Sequence, residues 1–295
     1  MGRKDMKKEQ ILTYLVFGII VLSIGATLSG IFSNDGSGEY EYESIRGENV
    51  TVHGKGFYKH MSSDVAVQGI AQDFVTLIFG VPLLIISLIL MRRGFLWGRF
   101  LLSGTLAYFM VTYIFYLCMA MYNELFVLWI LLASFSFYAF VIAITSFQIS
   151  SIESHFKRSL PRRTVGGFLI INSILIGLMW LGVVLPPLLD GSIYPIELEH
   201  YTTLIVQGLD LSILLPASFL SGFLLIKKRA FGYVIGPIYM VFLSLLMTAL
   251  TGKIIGMTIS GVDPGPAIII IPLINIISII LTILTLRNIT SEKVG

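Results

Sequence analysis

Asp73 and Asp210 are the two carboxylates that fall inside long apolar runs, in the stretches GIAQDFVTL and LDLSILLP. Each has an amide beside it, Gln72 and Gln207. An ionisable side chain in such a segment is costly, so it must be hydrated, paired or functional. Carboxylates with amides and hydroxyls around them suit a cation, an amine or a coupling proton. Helical spacing places Gly69, Gln72, Asp73, Thr76 and Gly80 on one face, and Gln207, Asp210, Leu214 and Ser218 on another. Small and polar residues mark the side of a membrane helix that meets other helices. Tyr108, Thr112, Tyr116 and Asn123 form a third such stripe. The expected site is therefore an outward-open cavity with Asp73 and Asp210 as charge partners. Gln72, Gln207, Tyr116 and Asn123 supply its hydrogen bonds. The competing structural reading is that both acids sit hydrated near helix N-termini, where the macrodipole favours negative charge, with Lys253 close enough to neutralise either. The stripe Asn275, Ser278, Thr282 and Thr285 reads as helix-to-helix contact.

Other chemistry finds little support. His53, His60, His155 and His200 all lie outside the apolar runs, and no metal-ligand spacing, P-loop, HExxH or nucleophile elbow occurs. The lone Cys118 reads as a packing residue. No catalytic residue, metal or cofactor is expected, and an enzyme is the less favoured class.

The elements that must position these residues are membrane helices. The chain has 295 residues, 56% hydrophobic and 13% charged, with mean hydropathy +0.88. Soluble domains carry roughly 25% charged residues. Apolar runs long enough to cross about 30 Å of hydrocarbon recur throughout. Eight spans are expected, at 11–33, 68–91, 95–121, 125–147, 165–188, 203–226, 230–251 and 267–286. The first is read as a retained span rather than a cleaved signal. With eight spans, 16 of the 20 Lys and Arg residues fall on one side, leaving Arg46, Lys55, Lys59 and Lys253 on the other. By the positive-inside rule both termini are then cytoplasmic. The net charge of +3 gives no reason to expect nucleic acid.

The largest connection, 34–67, is outer, and ENVTVHGKGFY is expected to form a short hairpin turning at His53 to Gly56. An internal repeat is also visible. At an offset of 134 positions Pro82 falls on Pro216, Ser87 on Ser221, Arg93 on Lys227 and Gly98 on Gly232. The expected fold is all-α, an eight-span polytopic transmembrane helix bundle of two parallel four-helix halves.

The stretches GKGFYKH, QGIAQDFVTLIFGVPLL, YNELF and LDLSILLPASFLSG carry a resemblance. Over most of its length the chain resembles a family of bacterial and archaeal multi-spanning membrane proteins with no assigned function. That resemblance implies a prokaryotic inner-membrane location and makes Asn49 of the Asn49-Val50-Thr51 sequon an unglycosylated residue. It transfers no substrate and no catalytic role. The leading expectation is binding or transport of a small, cationic solute or a proton, with the lipid bilayer as surroundings. The second is a sensor or accessory subunit that holds a partner protein through loop 34–67. The third is a lipid-modifying membrane enzyme, for which no motif speaks.

Overall fold

The computed structural model describes residues 3–290; Lys293, one of the basic residues counted above, lies outside them. Among the described residues eight helices are long and apolar enough to span a membrane: α1 (Met6–Phe32), α2 (Ser63–Arg92), α3 (Leu96–Met119), α4 (Phe126–Thr145), α5 (Arg162–Asp190), α6 (Ile205–Ile226), α7 (Ala230–Ile259) and α8 (Ala267–Arg287). The chain is an all-α multi-pass membrane protein. Helices follow from the solvent: in hydrocarbon each backbone N–H and C=O needs a partner within its own segment. A two-stranded antiparallel hairpin, β1 (Tyr40–Glu43) and β2 (Asn49–Val52), is the one sheet among the described residues. It lies at the end of the bundle termed here the hairpin face; the clusters at Arg92–Arg93 and Lys227–Arg229 lie at the opposite, basic face.

The two halves pack differently. In the first, α1 contacts α2 and α4, α2 contacts α3, and α3 contacts α4, which closes a ring of four. In the second, α5 packs on α6, α6 on α7 and α7 on α8, an open row. The halves join where α7 runs along both α2 and α3. Most of α3 and α7 is therefore buried, and the other six helices each show a broad apolar side to lipid.

The α2–α3 and α6–α7 hairpins match feature by feature at the 134-position offset. Each descending helix contains one wide π-helical turn, at Thr76–Gly80 and Asp210–Leu214. The amide of Val81 donates back to Thr76 and that of Leu215 back to Asp210. Pro82 and Pro216 follow directly. A proline brings no N–H and crowds the preceding turn, and a widened turn relieves both problems. At the basic end, Phe95 N–H donates to Leu90 C=O at 3.2 Å, and Arg229 N–H to Leu224 C=O at 3.0 Å. Gly94 and Lys228 hold the same turn position with φ of 84° and 56°.

Two expectations need correction. The hairpin does not turn at His53–Gly56. It turns one strand earlier, over Ser44–Glu48, where Ser44 Oγ accepts from the amides of Arg46 and Glu48 and Gly47 supplies φ of 82°. Gly54 and Gly56, both at positive φ, instead lie against the backbones of Gly38 and Ser33, where a side chain has no room. Second, α2 begins at Ser63 and α7 continues to Ile259, past their expected limits of 68 and 251. The extensions support one another. Gly252 and Gly256 let α7 sit directly on Val75 and Ala71 of α2.

A cap covers the hairpin face and links the halves. Arg46 donates to the carbonyls of Glu199 and Tyr201, at 3.3 and 3.0 Å, and lies over the Tyr194 ring. His200 Nε2 donates to the His60 carbonyl at 3.0 Å, and Ser62 N–H donates to the Tyr201 hydroxyl at 3.3 Å.

Candidate functional site

Asp73 lies on α2, level with the last turn of α1, and only 2% of it is exposed. Its Oδ2 accepts from the Tyr58 hydroxyl at 2.6 Å, and its Oδ1 faces the Tyr116 hydroxyl at 2.9 Å. The Tyr116 hydroxyl is also 2.9 Å from the carbonyl of Gly69, one turn above Asp73. Gly30 of α1 touches the carboxylate from the far side, and a Cβ there would overlap Oδ2. Among the described residues no Lys, Arg or His forms an ion pair with Asp73.

Three mutually parallel rings cluster beside this carboxylate, and two of them bond it through their hydroxyls. Tyr116 stacks on Trp129 at 5.3 Å, and Tyr58 stacks on Tyr116 at 6.0 Å, both nearly parallel. Tyr58 and Trp129 complete the triangle at 6.5 Å. Tyr116 comes from α3 and Trp129 from α4, but Tyr58 comes from the short 3₁₀ turn Gly56–Tyr58, outside the spans. The buried Tyr113 hydroxyl, on the same face of α3, lies beside Ser23 of α1.

The other sequence candidates take distinct places. Gln72 turns away from Asp73 and donates to the Tyr108 hydroxyl at 2.8 Å, with Thr112 at 3.3 Å. Thr76 closes that cluster on Tyr108 at 2.9 Å. Asn123 donates to the Phe57 carbonyl at 2.8 Å and accepts from the amide of Leu125. It therefore fixes the turn that carries Tyr58. Asp210 belongs to a second centre: Trp180 Nε1 of α5 donates to its Oδ2 at 2.7 Å. Lys253 of α7 faces the same space, beyond ion-pair distance. Gln207, one turn earlier, is buried, and its side chain makes no hydrogen bond among the described residues.

The structure thus brings Asp73 and Tyr116 into contact, places Gln72 and Asn123 nearby on other partners, and sets Asp210 apart on Trp180, with the Gln207 side chain bonded to neither acid. α7 stands between the two centres, with Gly252 and Gly256 toward α2 and Lys253 toward Asp210. At the 134-position offset Asp73 matches Gln207, and Asp210 matches Thr76, so Asp210 lies one turn deeper in its helix. Tyr58 and Trp129 were not legible as site residues. The only hint was GKGFY, whose paired glycines mark a backbone pressed close to something else.

The cap carries its own titratable group. Glu199 is partly buried, its carboxyl lies beside the Ser62 hydroxyl, and its backbone holds φ of 48°. Burial raises its carboxyl above the ordinary carboxylate value, opposed by Ser62 and His200. The folded cap then binds more protons than the unfolded chain at mildly acid pH. Cap stability falls as pH rises through the ordinary range, about 4.3, toward the raised value. Hydrogen exchange at 196–204 should accelerate over that rise beyond its intrinsic pH dependence. Glu199→Gln should flatten the excess.

Compared with models of known protein families, with curated proteins and with solved structures, the chain shows no match.

Proposed function

We propose that this membrane protein binds a small cation, an organic ammonium or a proton, at Asp73, and that it does so from the hairpin face. One observation carries the reading. A carboxylate without an ion-pair partner among the described residues is bonded by the hydroxyls of two rings of a three-ring cluster, and one ring and one hydroxyl of that enclosure come from a loop outside the bundle. Aromatic faces attract an ammonium, and a carboxylate completes its charge. Lifting the Gly56–Tyr58 turn uncovers Asp73 without moving a spanning helix. Asn123 and the Ser33 hydroxyl, which accepts from the Phe57 amide at 3.0 Å, define the resting position of that turn.

Transport needs a path onward. Gln72, Tyr108, Thr76 and Thr112 continue the polar line toward the basic face. Beyond them Ser87 bonds only to the Leu84 carbonyl of its own helix. This supports a binding or gated role over open conduction. The basic face is assigned to the cytoplasm of a prokaryotic inner membrane, on the Lys and Arg distribution and on the resemblance above. The paired π turns, the paired prolines and the equivalent closing hydrogen bonds support a duplicated four-helix unit.

The test uses the purified full-length protein in detergent. Methylammonium or tetramethylammonium should raise the wild-type melting midpoint saturably. Proteoliposomes given a pH jump should otherwise report proton uptake. If neither cation stabilises the protein and no proton uptake is seen, the reading fails. A second reading, a sensor or accessory subunit, is favoured by the exposed Tyr40, Tyr42 and Ile45 on the hairpin. A partner protein docked there would protect β1 and β2 from hydrogen exchange.

A further inference from the structure

The basic face of the first half holds a cavity of about 750 Å³. All four helices of that half line it, together with the turn segment Ile149–His155. Lys8 of α1, Arg92 and Arg93 at the end of α2, and Arg99 of α3 surround the space, with Glu9 the single acid in its wall. Buried Leu12, Met91 and Leu96 form an apolar floor. The volume lies within the range of small-molecule sites, about 300–1,000 Å³.

Basic helix ends are ordinary at this face of a membrane protein, because they set topology. A preformed cavity is a separate matter. Arg99 is held by the Ser146 carbonyl at 3.1 Å and by Glu9 at 3.4 Å. The Ile149–His155 wall is pinned to the chain beyond α8: Thr290 N–H donates to the His155 carbonyl, and Lys157 N–H to that of Asn288, both at 2.8 Å. The side chains of Lys8 and Arg93, in contrast, make no hydrogen bond or ion pair among the described residues. The second half differs at the corresponding turn. Tyr233 stands there at the position that matches Arg99, packed on Phe156 and bonded to Arg162 and Glu153. Arg99 therefore has no cationic counterpart at the matching position of the second half.

We propose that this cavity binds a phosphate-bearing anion, with Arg99 and Arg93 as guanidinium donors and Lys8 as a flexible third charge. Guanidinium groups match phosphate oxygens in pairs, and an ammonium adds a point charge. The apolar floor accepts the carbon skeleton of a phosphate ester. Such a group arrives either as the head group of an anionic phospholipid or as a soluble ester. The site is independent of the cation site at the hairpin face.

The experiment uses the full-length protein in phosphatidylcholine nanodiscs. In one arm inorganic phosphate and glycerol phosphate are titrated from the buffer. In the other, phosphatidylglycerol is mixed into the disc. Binding is read by phosphorus NMR line broadening and by the shift in melting midpoint. Saturable binding in the first arm assigns a soluble ester, and a response in the second arm alone assigns a lipid head group. Lys8→Gln and Arg93→Gln should each weaken binding about fivefold, and more steeply at low salt. Because neither side chain bonds to another described residue, the double variant should fold with an unchanged midpoint in the absence of phosphate. Arg99→Gln should weaken binding further, and its loss of the Ser146 and Glu9 bonds makes it the secondary variant. No response in either arm, or binding that the double variant leaves unchanged, would overturn the proposal.

Discussion

Asp73→Asn removes the response to organic cations or to a proton gradient and leaves the protein folded. Asparagine has the shape of aspartate, and its Oδ1 still accepts from Tyr58 or Tyr116. The amide nitrogen can donate to the other hydroxyl, since a tyrosine oxygen both donates and accepts. Both tyrosine hydroxyls keep a partner, so folded stability changes by about 1 kcal/mol. The ligand loses its counter-charge in a dry enclosure. Removing one partner of a desolvated charge pair costs about 2–5 kcal/mol, or roughly 30- to 5,000-fold in affinity. Scanning fluorimetry and ligand titration on the same sample separate the two effects. A variant that unfolds as badly as it binds would assign Asp73 to structure alone. Asp210→Asn is the internal control: with Trp180 and Lys253 as its surroundings and α7 in between, it should leave the Asp73 response intact.

Gly30→Ala should be strongly destabilising, and its effect should run through the carboxylate. The added Cβ falls on Asp73 Oδ2, with the Tyr58 hydroxyl close behind. Either α1 moves away from α2 or the carboxylate gives up its bond to Tyr58. Overpacking costs about 1–3 kcal/mol, and a lost hydrogen bond to a charged group about 1.5–3 kcal/mol. Destabilisation of about 3 kcal/mol is expected, with faster hydrogen exchange in 53–62 as the roof loosens. The cause can be isolated. Asp73→Ala in the same chain makes room for the methyl, so the double variant should recover at least 1 kcal/mol relative to additivity. Purely additive effects would mean that Gly30 and Asp73 do not meet in the folded protein.

The spans were legible because each is an unbroken apolar run closed by a basic cluster, and lipid leaves such a run one regular option. Asp73 was legible for the same reason, as a charge out of place. The enclosure around it was not. Trp129 lies in FVLWILLA, where nothing separates a lipid-facing tryptophan from a buried one. Tyr58 lies in a loop whose position depends on Asn123, 66 residues away from the Phe57 carbonyl it holds. The separation of the two acids escaped for a related reason. It depends on the extra turns of α7 that carry Gly252 and Gly256, and a count of apolar residues ends the span before them. The hairpin register was misjudged because the alternation in ENVTVHG suits either strand of a hairpin, and the turn is chosen by Ser44 and Gly47.

The open row of the second half has a mechanical meaning. α5 and α6 grip each other where Gly166 and Gly222 let their backbones touch, and they reach the rest of the bundle chiefly through α7. Their connecting segment holds Arg46 at one end of the cap, and the same stretch of chain presses Tyr58 onto Asp73 at the other. The cap therefore ties the outer pair α5 and α6 to the loop that roofs the carboxylate. A displacement of that pair against α7 would reach the Tyr58 hydroxyl through the cap rather than through a spanning helix.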